Sequence, residues 1–114
     1  MKIGVTSQNW RTVTGHAGKA RRVLVYSPGA DGRPVEIERI DLPKEMSLHE
    51  YHGEDHPFYA LDVLVTAGCG DGFVRRMAGH GVRVFATSKT DPEAVAADLL
   101  AGKPLPPPQP HGHD

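Results

Sequence analysis

The 114-residue chain holds a single cysteine, Cys69. One thiol excludes an intramolecular disulfide framework and any all-cysteine metal site within one chain. Further metal ligands have to come from histidine, carboxylate, the second subunit of a homodimer or a cofactor's own sulfide. Excess charge is missing too. Thirteen Lys and Arg against 14 Asp and Glu leave a formal charge of -1, so no long-range positive field attracts nucleic acid or an anionic membrane surface. Long apolar runs are also absent: the longest are strand-sized, and none is a membrane span. The opening residues, Met1-Lys2-Ile3-Gly4-Val5, read directly into a strand with no succession of basic, apolar and cleavage-site residues. The expected location is therefore the cytoplasm.

What the chain does have is glycine, proline and seven histidines. Its length suits one domain with one core. Ile3 to Thr6 is short and apolar and is followed by a polar loop running to about Gly18, the pattern of a buried strand and a long connection. Val23 to Tyr26 is a second β-rich run. Turn residues Ser27 to Gly32 separate it from Val35-Glu36-Ile37-Glu38, whose alternation of apolar and charged residues predicts a strand with one wet face. These two runs predict a hairpin. After a polar stretch from Glu45 to Pro57 and a short helix over Phe58 to Leu61, Val63-Leu64-Val65 reads as a parallel strand covered on both faces.

Gly68-Cys69-Gly70-Asp71-Gly72 follows, then Phe73, Val74, Met77 and Ala78 at helical spacing, a stop at Gly79-His80-Gly81, and a strand from Val82 to Ala86. Asp91-Pro92-Glu93 supplies an N-cap and an N1 proline for a last helix ending at Gly102. The predicted fold is α/β, a mixed five-stranded sheet flanked by helices, within a domain over residues 1–103. Residues 104–114, with their Pro-Leu-Pro-Pro-Pro start and His111 and His113, are too poor in apolar residues to pack and read as a flexible tail.

Two loops carry the candidate chemistry. Cys69, between Gly68 and Gly70, sits where a strand turns into a helix. Backbone N–H groups and the positive end of the helix dipole converge there, which predicts a thiol of lowered pKa available as ligand or nucleophile. A tight turn that merely accommodates a small residue is the plain alternative. In the first loop Gly15 and Gly18 flank His16, suggesting backbone shaped around a ligand, although a loop histidine is more often simply solvated. Ligands of open α/β sheets gather beyond the carboxyl ends of the strands. If the strands at Ile3 and Val63 are parallel neighbours, His16 and Cys69 face one another there. His49, His52 and His56 form a separate cluster, a second candidate for metal, while Gly53 and Pro57 oppose a continuous helix through it. His111 and His113 are candidates for weak chelation.

His16-Ala17-Gly18-Lys19-Ala20 before a strand ending in Tyr26 resembles the His-Phe-Gly-x-Ala segment of the dinitrogenase iron-molybdenum cofactor family. Asp62-Val63-Leu64-Val65 with its glycine loop, Gly81 and a strand is similar to that family's closing half. The resemblance covers about residues 1 to 101. Ala17 stands where the family usually has phenylalanine, and Cys69 at a position that is often not cysteine. The family comprises small carriers of the NifX type and the C-terminal domain of a NifB-type cofactor-assembly protein. It implies a ribonuclease H-like fold, an iron-sulfur or iron-molybdenum cluster or precursor as bound cofactor, no catalysis, and metallocluster assembly or acceptor proteins as partners in nitrogen fixation. His16 matches the family's histidine.

Iron-sulfur centres are held by thiolate, with imidazole as a substitute, so Cys69 and His16 can hold a preassembled cluster loosely enough to hand it on. An enzyme of the ribonuclease H type needs convergent carboxylates for two metals, and Ile3 to Thr6 supplies none. A thiol enzyme using Cys69 with His16 as base and a protein-interaction domain are the alternative readings.

Overall fold

A computed structural model describes residues 1–109. Residues 110–114, and with them the expectation of chelation by His111 and His113, lie outside the described residues. The elements are β1 (Ile3–Thr6), β2 (Arg22–Pro28), β3 (Pro34–Asp41), β4 (Val63–Thr66), α1 (Asp71–Gly79), β5 (Arg83–Ala86) and α2 (Pro92–Leu100). The five strands form one mixed sheet in the order β3-β2-β1-β4-β5. β2 runs antiparallel to β1 and β3, while β1 pairs in parallel with β4 and β4 with β5. The mixed five-stranded α/β sheet expected from the sequence is what forms.

Side-chain alternation divides the core in two. Val23, Val25 and Leu64 join Phe58, Met77 and Val82 on the face covered by α1. Leu24, Tyr26, Val63 and Val65 join Val95 and Ala96 on the face covered by α2. In the centre, β1 is approached so closely that a Cβ on Gly4 would lie 2.5 Å from Leu61 Cδ1 and 3.0 Å from Val23 Cγ1. Glycine there is a packing requirement rather than a flexible point. Asp91 caps α2 as its sequence indicated, its carboxylate accepting from the Glu93 and Ala94 N–H groups at 3.1 and 3.4 Å, with Pro92 in the first turn.

Two expectations are corrected. The short helix near Phe58 is a 3₁₀ turn over Pro57–Ala60, because Pro57 starts a turn that Asp62 and β4 leave no room to extend. Along β3 the alternation does not produce a buried face: Val35 and Ile37 are 49% and 50% exposed and belong to neither core. β3 is an edge strand with its register shifted between Val25 and Tyr26 of its partner, so Ile37 has no neighbour to bury it. Beyond α2, residues 104–109 run against the domain. Leu105 packs against the α2-side core, Thr87 Oγ1 donates to the Pro106 carbonyl at 2.7 Å, and Ser88 N–H donates to the Pro107 carbonyl at 3.1 Å. Prolines lack an N–H, but their carbonyls accept as well as any others.

Among the described residues no helix is long and apolar enough to cross a membrane.

Candidate functional site

The two parallel strands β1 and β4 both end in Val-Thr and then enter glycine-bearing loops. Thr6 and Thr66 are fully buried at that sheet edge, and their hydroxyls converge on one acceptor. The Thr14 carbonyl receives Thr6 Oγ1 at 2.5 Å, Thr66 Oγ1 at 3.1 Å and the Ala67 N–H at 3.0 Å. Ala17 N–H donates to the Gly68 carbonyl at 3.2 Å. A Cβ on Gly15 would lie 3.5 Å from the Gly68 nitrogen. The loops after β1 and β4 are thus sewn together by backbone and threonine hydrogen bonds.

Between and beside them lies an open cleft of about 920 Å³, lined by His16, Gly15, Gly18, Gly68, Cys69 and Gly70 and also by Lys19, His49, Lys89 and Gln109. β1 and β4 are parallel neighbours, and His16 and Cys69 both line the cleft beyond their carboxyl ends. His16 is exposed and holds φ 54°, ψ 54°. This left-handed conformation costs a non-glycine residue roughly 1–2 kcal/mol, and such strain tends to be kept where a side chain must be presented. α1 begins at the cleft with Gly70 as its N-cap and no side chain capping it, leaving the positive end of the helix turned toward Cys69.

That dipole does not prevail. Burial raises the half-buried Cys69 thiol above its ordinary pKa, and the Asp71 carboxylate raises it further, correcting the expected depression. A neutral thiol at neutral pH is a poor nucleophile but still a metal ligand, since a bound metal displaces its proton.

The histidine triplet is divided by the fold. His49 enters the cleft because Leu48 beside it is buried in the α1-side core and the His49 N–H donates to the Gly18 carbonyl at 2.6 Å. His52 is exposed elsewhere. His56 is buried, with Nδ1 accepting the Phe58 N–H at 3.0 Å and Nε2 2.6 Å from the Met46 carbonyl. Both ring nitrogens are committed to backbone, which removes His56 as a ligand. Among the described residues no three His, Cys, Asp or Glu side chains are grouped closely enough to hold an ion.

Lys19, Lys89, Thr14 and Gln109 were not singled out by sequence reasoning. The Val-Thr ending shared by β1 and β4 is the sequence signal that could have pointed to the threonine network.

His56 makes folding pH-dependent. Burial, and next the Arg76 charge, lower its pKa below the usual 6.5, against the raising effect of the Met46 carbonyl. The unfolded chain then takes up the proton first, so this contribution is complete above about pH 6.5 and is lost as pH falls through the lower folded value. Urea unfolding of the wild type from pH 8 down to pH 5 should show stability falling on the acid side. In His56→Gln the slope should flatten, at a cost of about 1–3 kcal/mol at pH 8.

The family profile described as dinitrogenase iron-molybdenum cofactor matches residues 1–102. The chain belongs to that family. No curated protein matches this family member in sequence. Solved structures are similar to it in fold. The crystal structure of PH0822 has a TM-score of 0.67 at 15% identity, covering 90% of this chain and 92% of that one. The NMR structure of a candidate NifB protein from Thermotoga, TM1290, of the DUF35 family, has a TM-score of 0.60 at 10% identity, covering 99% and 98%. At such identities the likeness is one of fold.

Proposed function

We propose that this protein is a non-catalytic carrier that takes an iron-sulfur or iron-molybdenum cluster, or a precursor of one, into the cleft between its two glycine loops and passes it to another protein of cofactor assembly. One observation carries the reading: in a chain of this family, the sole thiol and the strained His16 line one cleft. Thiolate and imidazole are the donor types that iron-sulfur clusters accept. Two protein ligands hold a cluster without enclosing it, which suits transfer. Lys19 and Lys89 bring positive charge to the same cleft, favourable to a cluster carrying net negative charge from its sulfides.

The sheet order, with β2 antiparallel to the other four strands, supports a ribonuclease H-like classification. Catalysis of that type lacks its carboxylate set among the described residues, and a thiol enzyme lacks a depressed Cys69 pKa. The free thiol and the cargo suit a reducing cytoplasm, and the partners are assembly and acceptor proteins.

The test is the protein purified and reconstituted under anaerobic, reducing conditions. Visible charge-transfer absorption with stoichiometric iron and sulfide, and release of both to an apo acceptor, is the expected result. Colourless protein from every reconstitution, with or without molybdenum, overturns carrier function. Turnover of a substrate that depends on Cys69 would establish a thiol enzyme instead.

A further inference from the structure

The three mutually parallel strands, β1, β4 and β5, each end beside a fully buried threonine at the edge of the sheet that bears the cleft. Thr6 closes β1, Thr66 closes β4 and Thr87 follows β5. Their hydroxyls differ in what they reach. Thr6 Oγ1 bonds the Thr14 carbonyl, and Thr87 Oγ1 bonds the Pro106 carbonyl. Of the three, Thr66 alone reaches both loops that carry the proposed ligands: its Oγ1 lies 3.1 Å from the Thr14 carbonyl of the first and 3.2 Å from the Gly68 carbonyl of the second.

Counting lone pairs assigns the Thr66 proton. A carbonyl oxygen has two lone pairs and a hydroxyl donates one hydrogen. At the Thr14 carbonyl the Thr6 hydroxyl at 2.5 Å and the Ala67 N–H at 3.0 Å are the shorter contacts and fill both places. The Thr66 hydroxyl therefore donates to the Gly68 carbonyl, whose other place is taken by the Ala17 N–H at 3.2 Å. Thr66 Oγ1 also accepts the Gly68 N–H at 3.3 Å, so one side chain holds both backbone groups of Gly68.

Both proposed ligands adjoin this junction. Cys69 follows Gly68, and His16 precedes Ala17. His16 is kept at φ 54°, ψ 54°, and a strained backbone persists only while its surroundings over-determine it. The bond from Ala17 to Gly68 is the constraint next to it in the chain, and that bond is only as firm as the Gly68 peptide that Thr66 fixes. Thr66 itself is fully buried beneath the loops, so it acts on the ligands through Gly68.

We propose that Thr66 is a positioning residue, whose hydroxyl clasps Gly68 so that His16 and Cys69 are held as a pair of ligands before cargo arrives. The inference rests on the reading of the cleft as a cluster site, and its own tests need no cluster.

Hydrogen exchange of the metal-free protein reports the clasp. Thr66→Val removes the hydroxyl at nearly constant volume and Thr66→Ala removes it with room to spare, so either one that folds serves. The Ala17 amide should then exchange about tenfold faster or more, and Thr66→Ser should restore its protection. Cobalt(II), titrated anaerobically into the whole chain, reports the pair. Wild type and Thr66→Ser should share one thiolate-to-cobalt absorption and one affinity, while loss of the hydroxyl should raise Kd roughly 10–100-fold, the range for outer-shell partners of metal ligands. In that background His16→Ala should add little, because the imidazole is no longer placed. Ile3→Val, a core change at the opposite end of β1, is the control: it should lower the unfolding midpoint and leave both Kd and the Ala17 amide at wild-type values.

Wild-type exchange at Ala17, or wild-type Kd, in the hydroxyl-free variants overturns the proposal. So does a His16→Ala loss of equal size in both backgrounds, an Ile3→Val loss of affinity matching theirs, or a wild type that binds no cobalt. Cluster uptake measured in parallel keeps the two readings apart: a wild type that loads no cluster yet shows this cobalt pattern loses carrier function and keeps the positioning role, while one that loads clusters equally well with and without the hydroxyl keeps carrier function and loses that role.

Discussion

Replacing His16 and Cys69 by alanine, singly and together, should give a non-additive loss of cluster uptake. Each single variant is expected to bind about tenfold or more weakly, and the double variant should lose less than the sum, with a coupling of about 1–3 kcal/mol. Both side chains line one cleft from loops that hydrogen-bond to each other, so a cargo that loses one ligand shifts on the other. Folding should stay cooperative, because His16 is exposed and Cys69 only half-buried. His16→Gly separates ligation from strain: it relieves the left-handed backbone at that position, so its unfolding midpoint should rise while uptake falls. The measurement is the titrated charge-transfer absorption of each variant beside its unfolding curve. Strict additivity, or full uptake in the double variant, would place the cargo elsewhere.

Arg76→Ala should be among the most damaging single changes outside the sheet, costing about 3 kcal/mol and lowering Tm by on the order of 10 °C. Its guanidinium donates to the Tyr59 hydroxyl at 3.1 Å, to the Leu48 carbonyl at 2.5 Å and to the Tyr51 carbonyl at 2.6 Å. Three acceptors on two segments are thereby tied to α1. Removing it leaves partly buried carbonyls unpaired and frees the stretch that carries His49 into the cleft. Arg76→Lys should recover little, since one ammonium cannot match a planar fork spread over three acceptors. Hydrogen exchange should show the amide of His49, which is bonded to Gly18, losing protection in both variants. Wild-type stability in Arg76→Ala would mean that Leu48 burial alone holds the loop.

The strands and both helices were legible because each had a local signal with a physical cause. Val63-Leu64-Val65 is an apolar run of the kind a doubly covered strand needs, and Asp91-Pro92-Glu93 carries its own capping and first-turn chemistry. The site was legible in part. Strand Val63–Thr66 and strand Ile3–Thr6 had to be parallel neighbours for His16 and Cys69 to meet, and they are. The Cys69 pKa could not be read from position. A helix start favours the thiolate, but burial and Asp71 oppose it more strongly, and burial is a property of the folded whole.

The histidine-bearing stretch marks the same division. Its composition showed three histidines without showing that they part company: His49 follows buried Leu48 into the cleft, His52 stays in solvent, and His56 turns inward to bond two backbone groups. Val35 and Ile37 alternate as a half-buried strand should, yet the sheet places them at an edge that neither core covers. Residues 104–109 contain nothing that demands packing, yet two proline carbonyls meet donors just beyond β5. By itself the sequence determined the α/β class, the strands and the two α-helices, and the lack of an intramolecular disulfide or an all-cysteine site within one chain, since these depend on local periodicity, capping and composition. Tertiary structure alone decided which loops share a cleft, which histidine reaches it, and whether the lone thiol is charged, because those depend on distances and burial between segments far apart in the chain.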